Sequence, residues 1–320
     1  MRERVILIAV SLIGLLVAIL GCSKDALSPS GLSDEEAIRQ QISQADSVAE
    51  FLSSDDAVID DQYEQAWEFG AVGKVATPIK VFRWGRKVDQ ITRTVIIVVE
   101  GDSAATATIT KTITGHLVIA AAYSDTASFP ETVIRKPFTE RSERKVRFVR
   151  IARSTSPEFN WRPVALTLVA GKTLPDSLIN FTITSLDVIT PDDTFHVTNP
   201  LDTWIRLRRL RERLLFVGDS VKLRLTVLSV DSAAELAIQR HGGLDRHRAR
   251  MHLVSNTPVG GGWERVYERV FIPHLSLGLY MANYSFVVDV ISRESLYDDS
   301  APFTNRFWGL PYAVRHRMRG

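Results

Sequence analysis

From about Ile79 onward the chain alternates apolar and polar residues with a period of two, and this limits its fold more than any other feature. Successive side chains of a strand point to opposite faces, so the pattern reads as strands with one face buried. The strongest pair of runs is Ile91 to Glu100 and Ala104 to Thr114, joined at Gly101, Asp102 and Ser103. In the second run Ala105, Ala107, Ile109 and Ile113 share one face, while Thr106, Thr108, Thr110 and Thr112 line the other. The expectation is a half-buried hairpin. Two more strands are predicted at 144–151 and 161–170.

Ahead of the strands the period is helical. Ser33 is followed three residues later by Glu36, a capping box, with Asp34 and Glu35 where the helix dipole favours negative charge. Ile38, Ile42, Ala45, Val48, Ala49 and Leu52 then form one apolar face. A second short helix is predicted from Tyr63 to Phe69. Gly171 to Ser177, carrying Pro175, is the predicted domain boundary. Beyond it strands are predicted at 178–188, 221–229, 248–254, 263–271 and 280–291, with a hairpin turn at Gly260, Gly261 and Gly262 and a short helix over 204–217. Such spacing without βαβ units predicts a sandwich.

Helices followed by a curved antiparallel sheet, closed by a strand holding Trp161 and Arg162, resemble the nuclear-transport-factor-like (cystatin-like) cone over residues 33–171. Residues 176–314 resemble an immunoglobulin-like sandwich, leaving 315–320 as a basic tail. The expected fold class is therefore α+β: N-terminal helices packed on a curved antiparallel sheet, followed by an all-β sandwich. Catalytic members of the cone family set an Asp/His or Asp/Tyr pair inside the cone. The inward Ala105, Ala107, Ile109 and Ile113 offer no such pair, so no catalytic residue carries over. The family also implies an alternative, a small-ligand carrier or enzyme using the cone cavity.

The N-terminus supplies an address. A basic start, with Arg2 and Arg4, precedes an uncharged apolar run over 5–20, shorter than the roughly 17 to 25 residues that span a bilayer. It ends at Ile19, Leu20, Gly21 and Cys22, and Cys22 is the single cysteine of the chain. This resembles the lipobox of bacterial lipoproteins, with Leu20 where that family usually has Ala or Ser. The resemblance implies removal of 1–21, acylation of Cys22, a flexible tether over 22–32 and a membrane partner. Ser23 after the cysteine implies the outer rather than the inner membrane in a host that has two.

One cysteine leaves no intrachain disulfide, thiolate zinc cluster or paired-cysteine redox centre. A formal charge of +2 gives no global basic field for nucleic acid. The charge is nonetheless segregated: the stretch from Asp34 to Glu68 is acidic with Arg39 its only base, and the stretch from Arg135 to Arg153 is strongly basic. His241, His247 and His252 with Asp245 lack a standard metal spacing, and Arg240, Arg246, Arg248 and Arg250 beside them repel a cation. His241, Gly242 and Gly243 lack the serine elbow that an oxyanion loop serves. No cofactor motif is present, and the expectation is a non-catalytic binding or assembly module. Its interaction candidates are Arg206, Arg208, Arg209, Arg211 and Arg213, whose guanidinium forks suit an anionic lipid, a polysaccharide or an acidic envelope partner. Trp308 and Tyr312 are candidates for a recognition surface.

Overall fold

A computed structural model describes residues 33–44, 64–65, 76–153, 160–210, 214–241, 248–275, 279 and 281–316. Cys22, the tether and the apolar run before it lie outside the described residues. Strands provide nearly all the regular structure: β1 Glu64–Gln65, β2 Lys80–Glu100, β3 Ala104–Ala122, β4 Thr132–Arg150, β5 Trp161–Thr167, β6 Val169–Thr173, β7 Phe181–Ile189, β8 Thr194–Val197 and β9 Trp204–Arg206. After these come β10 Leu214–Phe216, β11 Val221–Ser229, β12 Leu236–His241, β13 Arg248–Arg250, β14 His252–Val259, β15 Gly262–Phe271, β16 Met281–Ile291 and β17 Asn305–Arg315. The helices are α1 Asp34–Gln44, α2 Leu207–Leu210 and α3 Arg293–Tyr297.

The α+β expectation is overturned: the chain is largely all-β, built from antiparallel sheets, and among the described residues ahead of the sheets the helix is α1; the predicted helical positions Ala45, Val48, Ala49 and Leu52 lie outside the described residues. α1 forms for the reason the sequence suggests. Ser33 Oγ accepts from the Glu36 amide at 3.2 Å, and the Glu36 carboxylate accepts from the Ser33 amide at 2.8 Å. Ala37, Ile38 and Ile42 of α1 are buried. Of the second predicted helix, Glu64 and Gln65 are instead a strand paired with Trp84 and Arg83 of β2, and the rest lies outside the described residues. The helix predicted over 204–217 is also wrong, because β9, the single turn α2 and β10 take its place.

The hairpin is right in register and much longer than the sequence suggests. Ile91 pairs with Ile113 and Glu100 with Ala104, and pairing continues to Lys80 and Ala122. Gly101 makes its turn at φ +62°, which glycine adopts without a Cβ clash. β11 matches its predicted span, and the β14–β15 turn falls on Gly260 and Gly261, both at positive φ.

Two sheets result. The larger has twelve strands along the path β1-β2-β3-β4-β6-β17-β16-β12-β13, with β5, β9 and β10 attached; the smaller runs β14-β15-β11-β7-β8. The expected boundary does not separate the halves. β6 contains Gly171, which pairs with Ser142 of β4 on one side and Phe307 of β17 on the other. A Cβ on Gly171 would lie 2.0 Å from the Phe307 ring, so only glycine permits this approach. Strands from both halves therefore share one sheet, and no separate cone exists.

The large sheet curls so that its two ends meet. Arg86 of β2 donates to Glu140 of β4 at 2.6 Å and to Asp289 of β16, which also pairs with Arg240 of β12. The guanidinium of Arg248 on β13 lies 4.7 Å from the Trp84 ring centroid on β2. The outer face of β16 and β17 presents Phe286, Val288, Val290, Trp308, Leu310 and Tyr312 to the apolar side of the small sheet, where Leu186, Val188, Leu223 and Leu225 are buried. This second interface is sandwich-like.

Candidate functional site

Alternation along β4 divides its charges between two environments. Val146 and Phe148 point into the core, whereas Arg147 is exposed. The register sets Arg147 opposite Ala165 of β5, and Ala165 opposite Arg206 of β9. Residues directly opposite across neighbouring strands project on the same face. Two guanidinium groups therefore flank one small side chain. Trp204 stands two residues before Arg206 and is 40% exposed, and Arg208 follows in α2. Arg147, Val149, Val164, Ala165, Trp204, Arg206 and Arg208 together line an open groove of about 780 Å³. Arg162 is exposed opposite Val149.

The acids nearby neutralise this face only in part. Arg147 reaches Glu100 at 4.0 Å and Lys145 reaches Asp202 at 3.8 Å, both long for an ion pair. Arg206 and Arg208 make no hydrogen bond or ion pair among the described residues.

On the opposite face of this end of β4 lies the first turn of α1. Asp34, at the first turn of α1, accepts from the guanidinium of Arg150 and, at 2.9 Å, from Trp161 Nε1. Arg150 is in turn stacked on Trp161, 4.6 Å from the ring centroid. Burial raises the Asp34 carboxyl, but the bonds from Trp161 and Arg150 outweigh it and hold the group below its usual range. Arg150 and Trp161 end β4 and begin β5, so α1 begins at the same end of β4 as the groove, on the face that carries Phe148.

No protein-family model matches the chain, and no curated protein matches it. The sequence candidates divide as follows. Arg206 and Arg208 are exposed in the groove. The side chains of Arg209, Arg211 and Arg213 lie outside the described residues, as does Cys22. Trp308 and Tyr312 are 8% and 7% exposed and pack between the sheets, so they form no exposed surface patch. Their strand β17 is central, flanked by β6 and β16.

Lys145, Arg147, Arg162 and Trp204 were missed as members of the site. The basic stretch from Arg135 to Arg153 held the signal, because alternate positions of one strand separate inward from outward charges. Lys136, Glu140 and Arg144 take the inward positions and are buried. His252 is exposed on β14, while Asp245, His247 and the His241 side chain lie outside the described residues. Among the described residues no group of His, Cys, Asp and Glu could hold a metal ion, and no helix is long and apolar enough to cross a membrane.

Proposed function

We propose that this is a lipid-anchored bacterial envelope protein, attached through acylated Cys22, which holds its basic groove against the anionic surface of the membrane that carries it. It acts by binding rather than by catalysis. The observation that carries this reading is the convergence of Arg147, Arg206 and Arg208 around Trp204. Eleven residue steps separate Cys22 from Ser33, a reach of at most about 40 Å. From Arg150 to Arg147 along the strand is about 10 Å. The tether's reach exceeds both this distance and the roughly 10 Å between packed layers, so an anchor at Cys22 lets this face, on the other side of β4, meet headgroups. Trp suits such an interface, being apolar in body and polar at its N–H, and an acyl anchor with a basic patch is a stable combination.

Two measurements test the reading separately. Metabolic labelling with palmitate reports the anchor: label incorporated into the natural chain and absent from Cys22→Ser supports it, and no label removes it. Co-sedimentation of the mature Cys22→Ser chain reports the groove. Vesicles of phosphatidylcholine with phosphatidylglycerol are expected to bind it, and phosphatidylcholine alone to fail. Each basic residue at such a surface contributes about 1 kcal/mol, so Arg206→Ala with Arg208→Ala lowers binding about thirtyfold. Binding that ignores the anionic lipid or these arginines overturns the groove assignment.

A further inference from the structure

A second cavity lies where the two sheets separate, and it has the opposite electrostatic character. It encloses about 220 Å³. Val188 and Phe195 of the small sheet form one wall, and Phe286, Leu310 and Tyr312 of the large sheet face them. Ile205 and the β10 residues Leu215 and Phe216 complete the lining.

The polar groups belong to the mouth. Thr190, Asp192 and Asp193 lie in the turn between β7 and β8, and Asp219 follows β10. Asp193 is fixed by its own turn, its Oδ1 accepting from the Thr194 amide at 2.8 Å while Thr190 Oγ1 accepts from the Asp193 amide at 3.0 Å. Asp219 Oδ2 accepts from the Phe216 amide at 3.4 Å. Among the described residues no Lys, Arg or His lines the cavity. Arg315 is stacked on Phe216 at 5.0 Å from the ring centroid and lies outside the lining.

Inside, Tyr312 is held by other rings. It stacks on Tyr284 with centroids 5.7 Å apart and meets Phe286 at 5.8 Å and Phe271 at 6.3 Å. Burial pushes its phenol up, so it stays neutral and adds no charge to the lining. The walls are thus aromatic and aliphatic, and the carboxylates stand only at the entrance.

We infer that this slot binds a small ligand with an apolar body and a cationic end, the body seated against Phe286, Leu310 and Tyr312 and the cation held by Asp192 and Asp193. An alkyl or aryl amine has this chemistry, and so does the side chain of an amine-bearing peptide. At the roughly 30 Å³ that a water molecule occupies in the liquid, the volume admits about seven non-hydrogen atoms. Hexylammonium has that size. The site is separate from the basic groove and does not depend on the anchor.

The test titrates the mature chain with hexylammonium, hexanol and hexanoate, following the methyl NMR signals of Val188, Ile205, Leu215 and Leu310. Hexylammonium is expected to shift these signals at the lowest concentration, with hexanoate at least tenfold weaker. Asp192→Asn with Asp193→Asn retains the turn's acceptors and should weaken hexylammonium about tenfold while leaving hexanol unchanged. Equal binding of hexylammonium and hexanol in the natural chain overturns the inference, as does the absence of any shift from hexylammonium. Vesicle binding by the basic groove should be unaffected by these substitutions, which keeps the two assignments independent.

Discussion

Between the two sheets the packing is aliphatic and aromatic, with Leu186, Val188, Leu223, Leu225, Phe286 and Val288 buried against one another. Inside the curl of the large sheet, by contrast, Arg86 meets Glu140 and Asp289, Asp289 also meets Arg240, and Asn305 Nδ2 donates to Asp289 Oδ1 at 2.9 Å. All five of these side chains are buried. Apolar packing is non-directional and accepts many arrangements of similar volume. An ionic cluster demands particular partners, because a charge out of water is costly unless paired. The sandwich interface thus supplies cohesion, while the cluster decides which strands meet when the sheet curls.

The largest expected effect breaks the contrast directly. Asp289→Ala withdraws the carboxylate shared by Arg86, Arg240 and Asn305, and breaking a buried pair in this way costs about 3 to 5 kcal/mol. Leu225→Ala, in the sandwich interface, should cost about 2 to 4 kcal/mol through lost burial and a cavity. The conservative replacements separate the two interiors further. Asp289→Asn should recover little of the loss because the charge is gone, whereas Leu225→Met should keep the cost below about 1.5 kcal/mol. Urea unfolding of the four variants measures this. If Asp289→Ala proves the milder of the two alanine variants, the cluster does not hold the curl.

This difference also explains what the sequence could reveal. The alternation of Val221, Leu223, Leu225 and Val227 gave β11 its correct span, and Phe286, Val288 and Val290 gave the correct face of β16, because apolar residues at a period of two have one plain meaning. The opposite face of β16, with Ser285, Val287, Asp289 and Ile291, is also buried. Asp289 there reads as a solvent-facing residue until Arg86 and Arg240, from strands far away in sequence, are brought to it. The two-domain expectation failed for a related reason. Gly171 and Pro175 resemble a linker locally, and only the long-range pairing of Gly171 with Phe307 shows that one sheet passes through it. Half of the groove was legible as the arginine run near Arg206. Arg147 and Trp204 were not, since their approach depends on the register of β4, β5 and β9.

A smaller effect, read through pH, tests the polar side of the comparison. Lys136 is on the inward face of β4, and its Nζ donates to the carbonyls of Ser295, at 2.9 Å, and Asp298. Burial pulls its pKa down from 10.5 to about 8, although Asp299 and Asp298 oppose the shift. Between these two values the unfolded chain carries a proton that the folded chain has lost. Stability therefore rises as pH goes from about 8 toward 10. Tyr267, Tyr297 and Tyr312, whose phenols burial pushes up, contribute the opposite slope only above about pH 10, where unfolded tyrosine ionises. Urea midpoints at pH 8 and 9.5 should show the rise in the natural chain and its loss in Lys136→Met. An equal rise in both would assign it to other groups.

The smallest effect concerns α1, whose apolar face packs into the interior. Ala37, Ile38 and Ile42 share a buried cluster with Phe148, Trp161 and Leu166, and Gln41 Nε2 donates to the Trp161 carbonyl at 2.6 Å. Ser33→Ala deletes the hydroxyl that accepts from the Glu36 amide, leaving that donor to water. Loss of such a cap costs about 1 kcal/mol, a factor of about five in local opening. If the two interiors open independently, hydrogen exchange of the α1 amides should quicken about fivefold. Amides of β12 and β16 around Arg240 and Asp289 should then keep their natural rates, because the ionic cluster makes no use of the helix. Faster exchange in those strands by the same factor would mean that both interiors open as a single cooperative unit, and the division drawn between them would hold for composition but not for stability.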